Sequence, residues 1–489
     1  MNALLLLALA QTEVCTDAPE DPYVYRLSKV ARQSGATPFH WFHSEAGLER
    51  IQANDVDGAA AHFRAAAHFA SYSPDKWRNL AQAYSAQAAQ RAVWDAEALR
   101  LLREAVACFD LSHWLLPTRE ARDGRNTVLQ QLQVSYAEDT CPADDCALYE
   151  TMLRVAMGRS LDAALIRRFC TVKNLKVRMG ADERVRGFAS AQSLRLSWLA
   201  LKACGVAVIE GAVAPAAADA AGRAVAAHFE NTKARIRAFK PEILDPSTPY
   251  LGNASIQTAW PDAAERSKLR FEVKLPLEPP YLDEALTSSE PVLGLVKGAL
   301  RSGRLELDTF SYVVSVAGAP AQHWHQDVDP LIQNWSGEQL PPHGVVAAVA
   351  LDAIPEASGP TEFVLGSHIA SLERAQAGLP KAAFSVKKGG VVLFDMRINH
   401  RGGANRSPKD RALLYISYVN EWWRDAINFN TPQTAGWDRH NTTRARKLFR
   451  RLDAAAWASQ LETLLAARGV DLDALRSTFH PHPSTDLYT

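Results

Sequence analysis

The sequence carries no surplus of either charge: 54 basic residues stand against 54 acidic ones among 489. Nucleic acid and anionic bilayers are held by clustered excess cation, so this balance argues against both as partners. Long apolar runs are missing too, since no stretch reaches the roughly 18 uninterrupted apolar residues of a membrane span. The run Leu4 to Ala10 is short and lacks a basic start. A signal-peptide core and an ordinary N-terminus therefore both stay open, and with them a cytoplasmic or a lumenal, secretory location. Cysteine is sparse and one-sided: Cys15, Cys108, Cys141, Cys146, Cys170 and Cys204 are the six, and none follows residue 204. No Cys-x-x-Cys pair occurs, which argues against a structural zinc site. Cys141 and Cys146 flank a Pro-Ala-Asp-Asp loop, and a disulfide there and buried free thiols remain alternatives.

The composition, 47% hydrophobic and 22% charged, is that of a globular protein. The length exceeds what one core usually holds, about 250 to 300 residues, so two or more domains are expected. Residues 1–20 form an apolar segment, and 21–189 are expected to be an α-helical domain. Between 45 and 135 apolar positions recur at helical spacing, as in Pro74, Trp77, Leu80, Ala83, Tyr84 and again in Leu101, Ala105, Cys108, Leu111, Leu115. The helix pairs weakly resemble tetratricopeptide repeats, at about 40 residues apart in place of about 34. A plain bundle is the alternative, and either offers a packing or docking surface rather than chemistry.

The pattern changes near residue 190. Cys204-Gly-Val-Ala-Val-Ile-Glu-Gly reads as a strand closed by glycine, followed by a helix over Ala216 to Arg237, a strand at Arg270 to Leu275 and a helix near Asp283 to Leu300. Further strands are expected at Leu305 to Val316, Gln322 to Val328, Val345 to Ile354, Thr361 to Leu365, Val391 to Met396 and Ala412 to Val419. Short strands between Gly/Pro/Asn/Asp loops indicate a two-sheet jelly roll or barrel over 190–425. From 426 to 489 a helical extension is expected, with helices at Thr443 to Leu452 and Ala455 to Arg468. The fold class is therefore α+β.

Chemistry concentrates in Gln322-His-Trp-His-Gln-Asp-Val-Asp329. His325 and Asp327 are two apart, so an extended chain turns both side chains to one face, where a metal could take both. The pair alone is close to chance. His228 and Glu230 have the same spacing, but in an Ala-rich helix such positions point away from each other, and they are read as structural. What distinguishes His325 and Asp327 is their place at the end of a strand, with His400 in a loop after the strand Val391 to Met396. Two imidazoles and a carboxylate form a facial triad that leaves iron positions open for co-substrate and dioxygen. Arg411 follows and opens the next strand, with a planar guanidinium suited to a carboxylate. Arg406 competes for that role. His323 and Asp329 share the parity of the pair, and Trp324, Trp335, His368 and Gly402-Gly403 are nearby candidates with plain structural readings.

His325-Gln326-Asp327, Gly366-Ser367-His368, His400 and Arg411, with Gly205-Val-Ala-Val-Ile-Glu-Gly and Arg270-Phe-Glu-Val-Lys-Leu-Pro, resemble the phytanoyl-CoA dioxygenase family of iron/2-oxoglutarate hydroxylases over about 190–425. The resemblance implies a double-stranded β-helix of cupin-like, jelly-roll type. It implies His325, Asp327 and His400 as iron(II) ligands, Arg411 as anchor of the 2-oxoglutarate co-substrate, Gln326 beside it, dioxygen as oxidant, and ascorbate as a reductant such enzymes can use. Related halogenases replace the carboxylate by a small residue, so Asp327 points to hydroxylation. Val345 to Ala350 departs from the pattern by lacking an aromatic that some members stack on the co-substrate. The four Asn-x-Ser/Thr sites, at Asn253, Asn334, Asn405 and Asn441, are read as chance, because sugars on two of them would obstruct this region. A small-molecule substrate is expected. A catalytically silent scaffold and a hydroxylase of protein side chains presented by the helices are the rival functions.

Overall fold

The computed structural model describes residues 39–91, 95–132, 152, 163–186, 189–250, 262–276, 279–287, 289–328, 342–369 and 378–423. The expectations for the N-terminal apolar segment, the C-terminal helices, Cys15, Cys141, Cys146, Asn253, Asn334, Asn441, Asp329 and Trp335 lie outside the described residues.

Among the described residues, five helices come first: α1 (Phe39–Gln52), α2 (Val56–Phe69), α3 (Pro74–Ala89), α4 (Ala96–Leu115) and α5 (Arg119–Leu132). Their starts are written locally. Asp55 caps α2 by accepting from Gly58 N at 2.9 Å, Asp95 caps α4 by accepting from Glu97 N at 2.9 Å, and Pro74 opens α3, where its missing N–H costs nothing. On α3 the buried positions Trp77, Leu80, Ala81, Tyr84 and Ala88 follow the helical repeat and form one apolar stripe. Consecutive helices pack on one another through such stripes, with Ala59, Ala60, Ala66 and Ala67 letting α2 sit close to its neighbours.

Helix α6 (Ala191–Cys204) joins this region to the sheet. Ser190 caps it by accepting from Ser193 N at 3.1 Å, and Gly205 ends it at φ +80°, a left-handed conformation that glycine takes freely. Trp198 of α6 meets Trp77 and Trp114 edge-on, each at 6.4 Å between ring centroids. Its other side lies against Gly298 of α8 (Glu290–Leu300), where a side-chain carbon would collide with the indole. Buried Asp110 of α4 accepts from Arg195 of α6 at 2.9 Å and pairs with Arg125 of α5 at 2.8 Å. One continuous apolar core runs from the helices into the sheet. A disulfide links Cys170 to Cys204, and Cys108 is a buried free thiol. Helix α7 (Pro215–Phe239) flanks the sheet, and His228 on it shares a 2.8 Å hydrogen bond with Tyr312, a structural role. The helix expected near 283–300 is broken: a four-residue helix, Glu284–Thr287, precedes α8, whose first turn holds Pro291, a residue with no N–H to donate back to a preceding turn.

The strands among the described residues are β1 (Lys176–Arg178), β2 (Val206–Glu210), β3 (Ala263–Ser267), β4 (Arg270–Lys274), β5 (Leu305–Ser315), β6 (Gly344–Ala350), β7 (Thr361–Val364), β8 (Lys381–Ala383), β9 (Val391–Asp395), β10 (His400–Gly402) and β11 (Arg411–Asn420). The large sheet runs β1-β2-β9-β6-β11-β5-β4-β3, antiparallel except for β1 on β2. A smaller sheet runs β10-β7-β8. No helix among the described residues is long and apolar enough to cross a membrane.

Two expectations near the site are corrected. Residues 322–328 are not a strand; the segment makes a single bridge, at His325. It holds few apolar residues to anchor a ladder, and its backbone donates only at intervals, from Gln322 to Gly402, His325 to His400 and Asp327 to Met396. His400, expected in a loop, begins β10 and is the other half of that bridge.

Candidate metal centre

The bridge sets His325 opposite His400, with backbone N–H···O bonds of 3.0 and 2.8 Å exchanged between them and ring centroids 4.5 Å apart. Each ring is fixed by its Nδ1: that of His325 donates to His323 O and that of His400 to Ile398 O, both at 3.0 Å. A carbonyl oxygen only accepts, so Nδ1 carries the proton and each Nε2 keeps a free lone pair. Asp327 extends toward the same point, with Oδ1 3.6 Å from His400 Nε2 and Oδ2 accepting from the Tyr415 hydroxyl at 2.8 Å. One ligand atom from each of His325, Asp327 and His400 lies within 4.8 Å of the others. Burial, then the neighbouring His400, lowers the pKa of His325 and keeps it neutral, as a ligand must be. Two imidazole nitrogens and one carboxylate oxygen are a donor set suited to a divalent transition metal.

The register of the large sheet shows what else faces this point. Tyr415 lies opposite Ser311 on β5 and Ala348 on β6, and Arg411, Leu413 and Tyr415 share one face. Ser315 pairs with Arg411 on one side and with Arg270 on the other. Two guanidiniums thus meet at one level of the inner face, 5% and 1% exposed respectively. Neither has a carboxylate partner among the described residues. Arg411 donates to Gly359 O at 2.6 Å and Arg270 to Gly403 O at 2.8 Å, and the Nε of each is buried without an acceptor. Burial and the facing Arg270 press Arg411 down to about 9, and burial presses Arg270 to about 10. Such a pair of desolvated cations calls for an anion. Gly402 lets Arg270 in: a side-chain carbon there would collide with the guanidinium.

Gln326 turns aside, its amide nitrogen donating to Arg397 O at 2.6 Å. Trp324 lies between Arg401 and Lys381, whose cations stand 4.6 and 5.0 Å from its ring centre, so it clamps the small sheet and does not supply the missing aromatic of Val345 to Ala350. The rings beside His400 are Phe394 at 5.0 Å and Phe363 at 5.9 Å. Arg406 is exposed, whereas Arg411 is buried on the inner face. His368 is buried structural packing: its Nε2 donates to Lys202 O at 3.1 Å, and burial holds it at about 4. Asn405 is a loop staple, its amide donating to Ser315, Val316 and Lys409 carbonyls, so no sugar can be attached to it in the folded chain.

Sequence reasoning missed Arg270, Tyr415 and Arg266. The signal for Arg270 was present in Arg270-Phe-Glu-Val-Lys, where charges alternate with core residues. Alternation normally marks a solvent face, but every residue of β4 is buried, so that face looks into the site. There Glu272 pairs with Arg266 at 2.6 Å and Lys274 at 3.4 Å, and although burial would raise it, these two cations hold it down at about 2. Arg266 sits where the β3–β4 register slips, a bulge that no local pattern announces.

Residues 201–413 match the family model described as phytanoyl-CoA dioxygenase (PhyH). Among solved structures, the chain is similar to the epimerase SnoN in complex with Fe3+, alpha ketoglutarate and nogalamycin RO, at 15% identity and TM-score 0.34, over 50% of this chain and 92% of that one. It is similar to AviO1 from Streptomyces viridochromogenes Tue57 at 19% identity and TM-score 0.30, over 47% and 96%. It is also similar to EctD from S. alaskensis with bound Fe at 17% identity and TM-score 0.30, over 46% and 75%. At these scores nothing about substrate follows from the structural likenesses.

Proposed function

We propose that residues 201–413, a domain of the phytanoyl-CoA dioxygenase family, form an iron(II)- and 2-oxoglutarate-dependent dioxygenase that hydroxylates an organic substrate with release of succinate and carbon dioxide. The observation that carries this reading is the meeting, on one inner face, of a His-Asp-His cluster and two buried guanidiniums without a carboxylate partner among the described residues. The two halves fit one co-substrate, a keto acid that chelates a metal at one end and presents a carboxylate at the other. The two sheets that hold them are read as a double-stranded β-helix, and α1 to α4 as two repeat-like helix pairs.

In this reading His325, Asp327 and His400 hold iron(II), and Arg411 with Arg270 holds the distal carboxylate of 2-oxoglutarate. The bound metal with its co-substrate supplies the oxidation by dioxygen; ascorbate can keep the iron reduced. The protein's own work is placement. His323 and Ile398 carbonyls fix both imidazoles as Nδ1–H tautomers. The bridge between His325 and His400 keeps them opposed, and Phe363 and Phe394 shield His400 from water. Arg411, locked to Gly359, sets how far the co-substrate reaches. Placement of this kind is worth several kcal/mol of barrier, and a shift of about 1 Å can cost about 100-fold in rate.

The experiment is succinate release from 2-oxoglutarate in the presence of iron(II), read across a panel of small metabolites and peptides. A substrate that raises succinate formation above the unstimulated rate supports the reading. Complete absence of iron-dependent succinate, with and without substrates, leaves the silent-scaffold alternative.

A further inference from the structure

We propose that Tyr415 is the positioning residue of the metal centre: its hydroxyl holds the outer oxygen of Asp327, so that the carboxylate offers the metal its inner oxygen alone. This rests on the metal-binding reading given above. Both imidazoles are oriented by backbone carbonyls, through Nδ1 of His325 to His323 O and Nδ1 of His400 to Ile398 O. An ionised carboxylate only accepts hydrogen bonds, so a carbonyl cannot orient it and a donor is needed. Tyr415 supplies one, with its hydroxyl 2.8 Å from Asp327 Oδ2, while Oδ1 turns to His400 Nε2 at 3.6 Å.

The arrangement matters because Asp327 sits on an irregular segment whose backbone meets its neighbours only at intervals, from Gln322 to Gly402, His325 to His400 and Asp327 to Met396. With Oδ2 held by the Tyr415 hydroxyl, the carboxylate is kept from chelating through both oxygens, which would close a position that the co-substrate or dioxygen requires. Tyr415, by contrast, rises from the middle of β11, paired to Ser311 on one side and to Ala348 on the other. The small Ala348 leaves room for the ring, and Phe394, 6.1 Å away, packs edge-on against it. The strand thereby steadies a ligand carried on an irregular segment.

The test is titration of the full-length, metal-free protein with cobalt(II), read by affinity and by the visible cobalt spectrum. Tyr415→Phe should bind cobalt(II) about 10- to 100-fold more weakly, the usual loss on removing a group that orients a ligand, and with an altered spectrum. In an Asp327→Ala background the same substitution should change affinity by less than about twofold, since the two then act through one path. Tyr415→Phe with wild-type affinity and spectrum would overturn the proposal, as would an equal loss with and without Asp327. If metal-free Tyr415→Phe does not fold, 3-fluorotyrosine at position 415 keeps ring and hydroxyl while strengthening the donor: a shifted cobalt spectrum is expected, and an unchanged one overturns the proposal. Failure of the wild-type protein itself to bind cobalt(II) would instead overturn the metal-binding reading, and this inference with it.

Discussion

Two buried places in this chain hold charge, and they hold it in opposite ways. Where the helices meet the sheet, Asp110 is engaged by Arg195 and Arg125, and the charges are closed on one another. On the inner face of the sheet, Arg270 and Arg411 stand side by side with carbonyls for company and their Nε groups unsatisfied. A closed network holds a junction together. An open one stores an unfavourable state that an anion relieves, and removing one of its members is not the same experiment as breaking an ion pair.

The contrast is broken most severely at the junction. Asp110→Ala leaves Arg195 buried without its acceptor and should cost about 3–5 kcal/mol of stability by chemical denaturation. Metal and co-substrate binding by the folded protein should be unaffected. At the inner face the signs reverse. Arg411→Met should weaken 2-oxoglutarate binding by about 100-fold or more, in line with roughly 2–5 kcal/mol for removing one partner of a buried charge contact. The same variant without ligand should melt at the same temperature as the wild type or higher. Arg270→Met should follow in both respects, with about a tenfold loss of affinity.

How much of this was legible in the sequence depends on the range over which each signal acts. The stripe on α3 and the strands at 270–274, 305–315, 391–395 and 411–420 are local patterns, and they were readable. His325, Asp327, His400 and Arg411 were picked out by type and order; the structure gathers ligand atoms of the first three within 4.8 Å of one another and buries Arg411 on the sheet face that carries Tyr415. What was illegible is set by pairing between distant segments. The bridge that turns 322–328 from strand to loop depends on β10, and the inward turn of Arg270 depends on both faces of β4 being covered. Tyr415 looked like any tyrosine in an apolar strand until the register set it against Asp327.

Smaller changes sharpen the same comparison. Gly402→Ala places a methyl against the Arg270 guanidinium and Gln322, so 2-oxoglutarate affinity should fall by roughly 5- to 30-fold, as expected for about 1–2 kcal/mol of overpacking at the anion site. Cobalt(II) binding should stay near the wild-type value. Smallest is a pH effect at the sheet's edge, where burial raises Glu265 to about 7. The folded chain then holds a proton there that the unfolded chain releases near the ordinary glutamate value, so this site's contribution falls as pH rises from about 4.5 to 7. Against Glu265→Gln, which cannot titrate, the wild type should lose relative stability across that window and remain lower above it. Parallel denaturation curves at pH 5 and 8 measure the difference.

The most direct measurement is 2-oxoglutarate binding to the oxygen-free protein, by calorimetry, with and without iron(II). Binding that requires the metal, and that is lost in Asp327→Ala and in Arg411→Met alike, is the expected result. Binding of equal strength without iron, or untouched by both substitutions, would contradict a site that joins the His-Asp-His cluster to the buried arginines.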